Sequence, residues 1–246
     1  MTNELDPWTA MRRYTVARVG LGRAGDSVPT THLLEFQMAH AQARDAVHTP
    51  VEFAPIRAAL DGHPTIDVHS AAPDRATYLQ RPDLGRRLDP RCVELLTPER
   101  AAGYDVAFVI ADGLSARAVH DHAAATLHAV LERLDGWLVA PIVLAAQGRV
   151  AIGDEIGELL GARMVVVLLG ERPGLSAADS LGIYLTVGPH VGRRDSERNC
   201  ISNIHPPDGL GYAGAAEKLV HLMGQARSLG ISGVGLKDDV VALAES

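Results

Sequence analysis

Two carboxylates directly follow apolar, strand-like segments and are the first candidates for chemistry in this sequence. Asp112 follows the run DVAFVIA at 105–111, and Glu171 follows the run MVVVLL at 164–169 after a single glycine. In open α/β sheets, ligands bind where such strands end. Two carboxylates make an acid and base pair only in a defined geometry, and aspartate at a turn commonly fixes its own backbone. Glu171 is therefore the better candidate for contact with a ligand.

The other reactive side chains form no recognisable catalytic set. Ser115 lies in DGLSA, which does not match the G-x-S-x-G nucleophile elbow. His120 and His122 are two positions apart, which on a helix directs them about 200° apart and disfavours a shared metal ion. Cys200 has no base that its sequence neighbourhood identifies, and with Cys92 as the second cysteine no disulfide framework is expected. The pattern indicates binding rather than catalysis.

The segment 14–25, YTVARVGLGRAG, contains a formal G-x-G-x-x-G pattern. A dinucleotide fingerprint opens a helix within its glycines and has an acidic residue about 20 positions further on, at the end of a second strand. Here the residues DSVP at 26–29 follow, and the helical pattern begins only near Thr30. We interpret the glycines as a tight connection or a docking loop rather than a nucleotide site.

The segment 81–91, RPDLGRRLDPR, is rich in arginine. Its side chains Arg81, Arg86, Arg87 and Arg91 could hold a phosphate or the carboxylates of another subunit, because guanidinium groups bind both through paired hydrogen bonds. A solvated connection between helices explains the same composition. The sequence leaves both interpretations open.

Alternating strand and helix patterns after residue 104 predict an α/β fold. Strands are predicted at 105–111, 140–146, 164–169 and 181–187, and helices at 116–134, 154–160 and 211–228. This alternation predicts a doubly wound, mainly parallel sheet with right-handed crossovers, a Rossmann-like arrangement. The polar segment 193–207 lacks periodicity and is predicted to be a functional or mobile loop.

The first hundred residues are predicted to form a smaller, mainly helical region. Residues 1–15 are polar and are expected to form an arm that orders only on a partner. A helix is predicted at 31–47, a short helix at 55–60 and a strand candidate at 65–69. We therefore predict two parts: residues 1–100, the N-terminal arm and mainly helical region, and residues 101–246, the α/β domain.

Charge and hydropathy patterning narrow the choice of partners. The formal net charge of −7 and the pI near 5.8 disfavour a nucleic acid or an anionic membrane surface. No apolar stretch reaches the ~18 residues of a membrane span, and the first residues, MTNELDPW, lack the pattern of a secretory signal. We expect the chain to stay inside the cell with reduced thiols, so small molecules and proteins remain as partners.

Five segments, in order, together resemble one protein family: VGLGRAGDSVPT, FVIADGLSARAVH, GRVAIGDEIGELLGARMVVVLLGERPGLSAADSLGIYLT, ERNCISNIHPPDGLGYAGAA and GVGLKD. They resemble the small subunit of adenosylcobalamin-dependent ethanolamine ammonia-lyase, which converts ethanolamine to acetaldehyde and ammonia. The resemblance implies a hetero-oligomer in which a large subunit supplies the barrel and the ethanolamine site. This chain would help to bind and enclose the cofactor and would have no activity alone, in agreement with the missing catalytic set.

The same resemblance implies three cobalamin contacts: Val150 in QGRVAIGDE, Glu171 in GERPGLS and Cys200 in ERNCISN. The Glu171 carboxylate can accept hydrogen bonds from corrin amides and ribose hydroxyls. Val150 would offer an apolar contact and a backbone group, and Cys200 its backbone or a soft side chain rather than a bond to cobalt. Without the resemblance, ordinary packing explains Val150 and Cys200. A cytoplasmic location is also implied, with a bacterial microcompartment as a more specific alternative.

Two other classes of function remain open. A stand-alone nucleotide-binding α/β enzyme would use GLGRAG and DGLS, and nucleotide binding by the isolated chain would identify it. A purely structural assembly subunit would stabilise the large subunit without touching the cofactor, and a map of the surroundings of cobalamin would identify it. Five segments in the same order match by chance far less readily than one glycine motif does, so the family resemblance is favoured over both alternatives.

Overall fold

The computed structural model describes residues 7–15, 17–60, 62–100 and 103–237. Residues 1–6 of the predicted arm and residues 238–246 of the predicted α/β domain lie outside these ranges. The strands are β1 (Thr65–His69), β2 (Val106–Ala111), β3 (Ile142–Ala146), β4 (Met164–Gly170), β5 (Leu181–Val187) and β6 (Arg198–Ile204).

The α-helices are α1 (Pro7–Met11), α2 (Thr30–His48), α3 (Phe53–Ala59), α4 (Arg75–Gln80), α5 (Pro90–Leu96), α6 (Ala116–Ala118), α7 (Ala124–Leu131), α8 (Ile152–Leu160) and α9 (Tyr212–Leu229). A π-helical turn, Val119–Ala123, joins α6 to α7. Short 3₁₀ turns occur at Arg12–Tyr14, Leu84–Arg86, Thr97–Glu99, Asp195–Glu197 and Gly233–Gly235. Within the described ranges, none of these helices is long and apolar enough to cross a membrane.

One six-stranded sheet forms the centre of the fold, in the order β1-β3-β2-β4-β5-β6. The first four strands of this order are mutually parallel, whereas β5 is antiparallel to both β4 and β6. The predicted α/β class is confirmed. The sheet is mixed, however, and the doubly wound, Rossmann-like arrangement is not confirmed.

The direction of β5 follows from its connection to β4. The connecting loop, residues 171–180, contains no helix, and Gly170 pairs with Leu181 at the point where the chain turns back. A parallel neighbour needs a crossover of about a dozen residues or more, usually with a helix. The shorter loop therefore makes β4 and β5 an antiparallel hairpin.

The segment predicted to be a loop, 193–207, contains β6, so that prediction is wrong over the strand. β6 lies at the edge of the sheet, and only Arg198, Ile201 and Ile204 are buried along it. One of these three is charged and the exposed positions are polar, so the sequence has no apolar alternation to reveal the strand. Pairing with β5 supplies its conformation instead.

The central strands fill two separate cores with alternating side chains. On one face, Phe108 and Ile110 of β2 pack with α7 and α9. On the other face, Ala107 and Val109 pack with α5 and α8. Because β2 and β4 are buried on both faces, their sequences are continuous apolar runs.

The glycine-rich segment near the N-terminus is an irregular connection, as interpreted from the sequence. Gly20, Gly22 and Gly25 all have positive φ, and α2 begins only at Thr30. Trp8 of α1 lies so close to Gly20 that a Cβ atom there would be 2.2 Å from the indole ring. No strand precedes the glycines within the described residues, so the geometry of a dinucleotide fingerprint is missing here.

Candidate functional site

A cavity of about 610 Å³ opens beside the carboxyl ends of β3 and β4. Its walls come from the segment 82–86, from the segments that follow β2, β3 and β4, and from β5, β6 and the turn before β6. Val150, Glu171 and Cys200 all line it. The three residues singled out in the sequence therefore lie around one space, and their role as ligand contacts remains a prediction.

Four segments that lie far apart in the sequence converge on the cavity: 112–115, 147–153, 170–176 and 193–203. Leu114 comes from the turn after β2, Val150 from the turn after β3, and Glu171 from the loop after β4. The fourth segment contributes Cys200 from a strand rather than from a loop, because β6 runs beside β5 and pairs Cys200 with Tyr184.

Glu171 connects the end of β4 to β6. Its Oε1 accepts a hydrogen bond from Ser202 Oγ at 2.6 Å, and its Oε2 accepts from Ser180 Oγ at 2.5 Å and from the backbone N–H of Asn203 at 3.3 Å. Gly182 makes room for this carboxylate, since a Cβ atom there would be 2.9 Å from Oε1. A carboxylate has about four acceptor positions, so three are filled and one remains for a ligand.

Cys200 and Tyr184 contribute neutral groups to the wall. Desolvation raises the pKa of the Cys200 thiol; a hydrogen bond with Tyr184 lowers it, and the Glu171 charge raises it further. Desolvation also raises the pKa of the Tyr184 hydroxyl. A protonated thiol is a weak nucleophile, so Cys200 presents a small, soft surface rather than a reactive group.

A buried ion pair joins the two sides of the cavity floor. Arg198 of β6 donates to Asp154 of α8 through two contacts, at 2.6 Å and 2.7 Å, and both side chains are 2% exposed. Arg198 also donates to Thr186 Oγ1 at 2.9 Å and to the backbone oxygen of Arg193 at 3.1 Å. Sequence reasoning missed this pair because its members are 44 positions apart and one of them lay in a predicted loop.

Tyr78 of α4 holds the turns after β2 and β3 together. Its side chain is fully buried, and its hydroxyl lies 2.8 Å from Gly113 O and 3.0 Å from Gly148 O. The guanidinium carbons of Arg75 and Arg149 lie 4.8 Å and 4.7 Å from the centre of its ring. This cation–π packing fixes Arg149 against the cavity wall. The sequence offered only the basic segment 81–91 as a signal of positive charge in this region.

Asp112 lies in the turn after β2 and also fixes the turn after β3. It is buried and does not line the cavity. Its Oδ1 accepts the backbone N–H of Gly148 at 2.9 Å, and its Oδ2 accepts from Arg75 at 3.0 Å. Burial raises the pKa of Asp112 to about 6, against the lowering effect of Arg75. Asp112 and Glu171 thus do not share a site, which argues against an acid and base pair.

Replacing Asp112 by asparagine should change how stability depends on pH. The folded-state pKa of about 6 exceeds the ordinary value of 3.8, so the folded state binds more protons between these values. The wild type therefore loses stability as the pH rises through about 6. From about pH 5 to about pH 7.5 it should lose ~1.4 kcal/mol that Asp112→Asn does not lose. Urea unfolding of both chains at both pH values measures this difference, and identical pH dependence would contradict it.

Ser115 is a helix cap rather than a nucleophile. Its Oγ accepts the backbone N–H of Ala118 at 3.1 Å and donates to the backbone oxygen of Ala178 at 2.7 Å. The second contact also ties the start of α6 to the β4–β5 loop.

A further group of potential ligands, Asp121, His122 and Asp179, lies outside the cavity lining, with its ligand atoms within 4.8 Å of one another. Desolvation lowers the pKa of His122, which favours its neutral form, although the nearby Asp179 and Asp121 charges act in the opposite direction. Its Nε2 lies 3.9 Å from Asp179, and Arg117 is in ion-pair contact with both carboxylates. His120 instead accepts a backbone N–H from the segment before α3. The two imidazoles have different partners, as their spacing predicts.

The fold and the cavity define an α/β protein with a ligand-sized cavity, lined by apolar and charged side chains, at the edge of a mixed sheet. In the described part of the chain, the lining side chains form no nucleophile and base pair. Comparison with protein families finds a match over residues 5–237 to the ethanolamine ammonia-lyase light chain (EutC). The chain belongs to this family.

Individual relatives agree with the family match. The ethanolamine ammonia-lyase small subunit of Ralstonia nicotianae is 58% identical over 240 residues, covering 95% of this chain and 88% of the relative. The small subunit of Azotobacter vinelandii is 57% identical over 244 residues, covering 95% and 89%. That of Xanthomonas campestris pv. campestris is 56% identical over 241 residues, covering 95% and 88%.

Proposed function

We propose that this chain is the small subunit of an adenosylcobalamin-dependent ethanolamine ammonia-lyase and encloses part of the cobalamin against the large subunit. The observation that carries the proposal is that Val150, Glu171 and Cys200, from three distant segments, line one cavity. Family membership supports the reaction, the conversion of ethanolamine to acetaldehyde and ammonia. The bound cofactor supplies the radical chemistry, and this chain binds it, orients it and excludes water.

The lining suits one part of a corrinoid. Val150 and Leu169 provide apolar surface, Glu171 provides a charged acceptor, and Arg149 provides donors. Corrin side chains end in amides, which both donate and accept hydrogen bonds. Cobalamin is larger than a cavity of about 610 Å³, so this chain contacts one part of it and the large subunit covers the rest.

The surface of α2 supports a protein partner. Leu33, Leu34, Phe36 and Met38 are between 43% and 62% exposed on this helix. Several exposed apolar side chains on one helix are typical of a surface that another protein covers. The name of the relatives, small subunit, supports a large subunit as that partner in a hetero-oligomer.

The remaining parts of the proposal concern organisation and location. Residues 1–100 form the arm and mainly helical region and residues 101–246 the cobalamin-contacting domain, with β1 reaching from the first part into the sheet. The assembled enzyme works in the cytoplasm or inside a bacterial microcompartment, and cell fractionation distinguishes the two. Turnover requires both subunits. An isolated chain that binds nucleotide or turns over ethanolamine would instead support a stand-alone enzyme.

Glu171→Ala should weaken cobalamin binding by about ten- to a hundredfold, or roughly 1.5–3 kcal/mol. The change removes a charged acceptor that the bound cofactor and the large subunit would shield from water. Glu171→Gln keeps the volume and one acceptor oxygen, so it should cause a smaller loss. Titration of the enzyme reassembled with its large subunit measures both affinities, and an unchanged affinity for Glu171→Ala would exclude the contact.

Two control variants separate this contact from the structural role of Glu171. Ser202→Ala removes a donor to the carboxylate at a residue that does not line the cavity. Glu217→Ala removes an exposed carboxylate from α9. If Ser202→Ala weakens binding as much as Glu171→Ala does, Glu171 acts by holding β6 rather than by touching the cofactor. Glu217→Ala should leave the affinity unchanged.

A further inference from the structure

The cavity is more basic than the protein that contains it. Four arginines line it, Arg86, Arg149, Arg172 and Arg198, against two carboxylates, Glu171 and Asp195. The whole chain, by contrast, has a formal net charge of −7. A concave surface with locally positive charge concentrates anions even on an acidic protein.

Three of these arginines have no counter-charge in the part of the chain that the structure describes. Arg198 is neutralised by Asp154, with Asp195 a further 3.5 Å contact. Among the described residues, no carboxylate lies within ion-pair distance of Arg86, Arg149 or Arg172. The unpaired positive charge therefore faces the space that a ligand would occupy.

Arg149 is the best-positioned of the three. Its backbone N–H donates to Gly85 O at 2.7 Å, and its guanidinium lies against the ring of the buried Tyr78. Its Nε is buried, and no residue within the described ranges forms a hydrogen bond with it. Leaving a buried polar group unpaired is destabilising, so the described residues hold a rigid donor for which they provide no acceptor.

The same backbone contact brings a second cation to the site. Gly85 lies in the 3₁₀ turn Leu84–Arg86, so its bond to Arg149 sets Arg86 beside the turn after β3. Arg172 comes from the β4–β5 loop. Guanidinium groups match the oxygens of a phosphate with paired hydrogen bonds, which exposed lysines cannot do.

We propose that Arg149, with Arg86 and Arg172, forms an anion subsite that binds a phosphodiester, and that this phosphodiester is the one in the nucleotide loop of cobalamin. The inference rests on the function proposed above. Cobalamin carries a single phosphodiester, while the rest of its periphery is neutral amides and hydroxyls. The arginines thus select the phosphate and Glu171 accepts from the neutral donors, so the two kinds of group together orient the corrinoid in the cavity.

The test compares cobalamin with cobinamide, a corrinoid that retains the corrin amides and lacks the nucleotide loop. Arg149→Met in the assembled enzyme should raise the Kd for cobalamin about ten- to a hundredfold and leave the Kd for cobinamide within about twofold of the wild type. Arg86→Met, at an exposed residue on a different segment, should show the same selectivity with a smaller effect. Arg44→Met on α2, outside the cavity lining, should change neither affinity.

Every other outcome of this comparison contradicts the proposed anion subsite. An equal loss for both corrinoids means that Arg149 supports the wall through Tyr78, and no loss for either means that it touches no ligand. If Glu171→Ala weakens binding while Arg149→Met does not, only this inference fails. If neither variant changes binding, the proposed cobalamin contact fails as well.

Competition with inorganic phosphate shows whether the arginines bind the phosphodiester of cobalamin or a free anion. Phosphate in the millimolar range should compete with cobalamin and not with cobinamide, because only cobalamin brings its own phosphate to the arginines. Phosphate that binds together with cobalamin, at no cost to the affinity of either, would show that the arginines serve a free anion and would overturn the assignment.

Discussion

Arg198→Met is expected to lower the free energy of unfolding by about 3–5 kcal/mol. The substitution leaves the Asp154 carboxylate, which is 2% exposed, buried without its counter-charge. The loss is large because the desolvation cost of the carboxylate remains while the attraction that offset it is gone. Urea unfolding of the full chain measures the change. Because Arg198 also lines the cavity, cobalamin affinity in the assembled enzyme should fall with it.

Two further variants test whether the uncompensated buried charge causes this loss of stability. Replacing both partners, with Arg198→Met and Asp154→Leu, should recover most of the lost stability, since no charge is then left buried. Arg81→Met breaks a pair with Asp83 whose side chains are 61% and 59% exposed. That change should leave the free energy of unfolding nearly unchanged, because solvent screens exposed ion pairs. A double variant as unstable as Arg198→Met alone would show that packing, rather than charge, dominates the site.

Gly170→Ala is expected to destabilise the protein by about 3 kcal/mol and to weaken cofactor binding. A Cβ atom at residue 170 would lie 2.1 Å from the backbone oxygen of Ser115 and 2.8 Å from that of Asp112. Neither atom can rotate away, so either the end of β4 or the turn after β2 must shift. That shift breaks the 2.8 Å bond from Leu114 N–H to Gly170 O and moves the adjoining Glu171.

Gly224 in α9 is the matched control for this substitution. A Cβ atom there would have no neighbour within 4 Å. Gly224→Ala should therefore stabilise the helix by up to about 1 kcal/mol, since alanine is the better helix former. Thermal unfolding of both variants gives the comparison. Equal effects at the two glycines would contradict the close approach of β4 to the turn after β2.

Local patterns were sufficient for most elements. The helix predicted at 31–47 is α2 (Thr30–His48), the strand predicted at 181–187 is β5 (Leu181–Val187), and the helix predicted at 211–228 is α9 (Tyr212–Leu229). These segments carry their own helical periodicity or apolar runs. Residues close together in the sequence are therefore enough to specify their conformation. β6 carries no such pattern, because its conformation comes from pairing with β5.

The residues of the candidate site also divide into those that local sequence could identify and those that it could not. Glu171 could be singled out from sequence because it directly follows a buried strand, and a strand end is a local feature. Arg149 could not, because its significance depends on Tyr78, 71 positions earlier, and on the absence of a nearby carboxylate. The family resemblance implied the convergence of Val150, Glu171 and Cys200, and the sheet places them around one cavity.

By itself, the sequence determined the family, the α/β class and the identity of most helices and strands, because these depend on motifs and periodicities within short stretches. Only the tertiary structure decided the direction of β5, the existence of β6 and the pairing of Arg198 with Asp154. These features depend on contacts between residues far apart in the chain, and hydrogen bonding and charge compensation at such contacts leave no periodic trace in sequence. The cavity exists because of them: an antiparallel edge brings Tyr184 and Cys200 beside Glu171, and a buried ion pair holds that edge to α8.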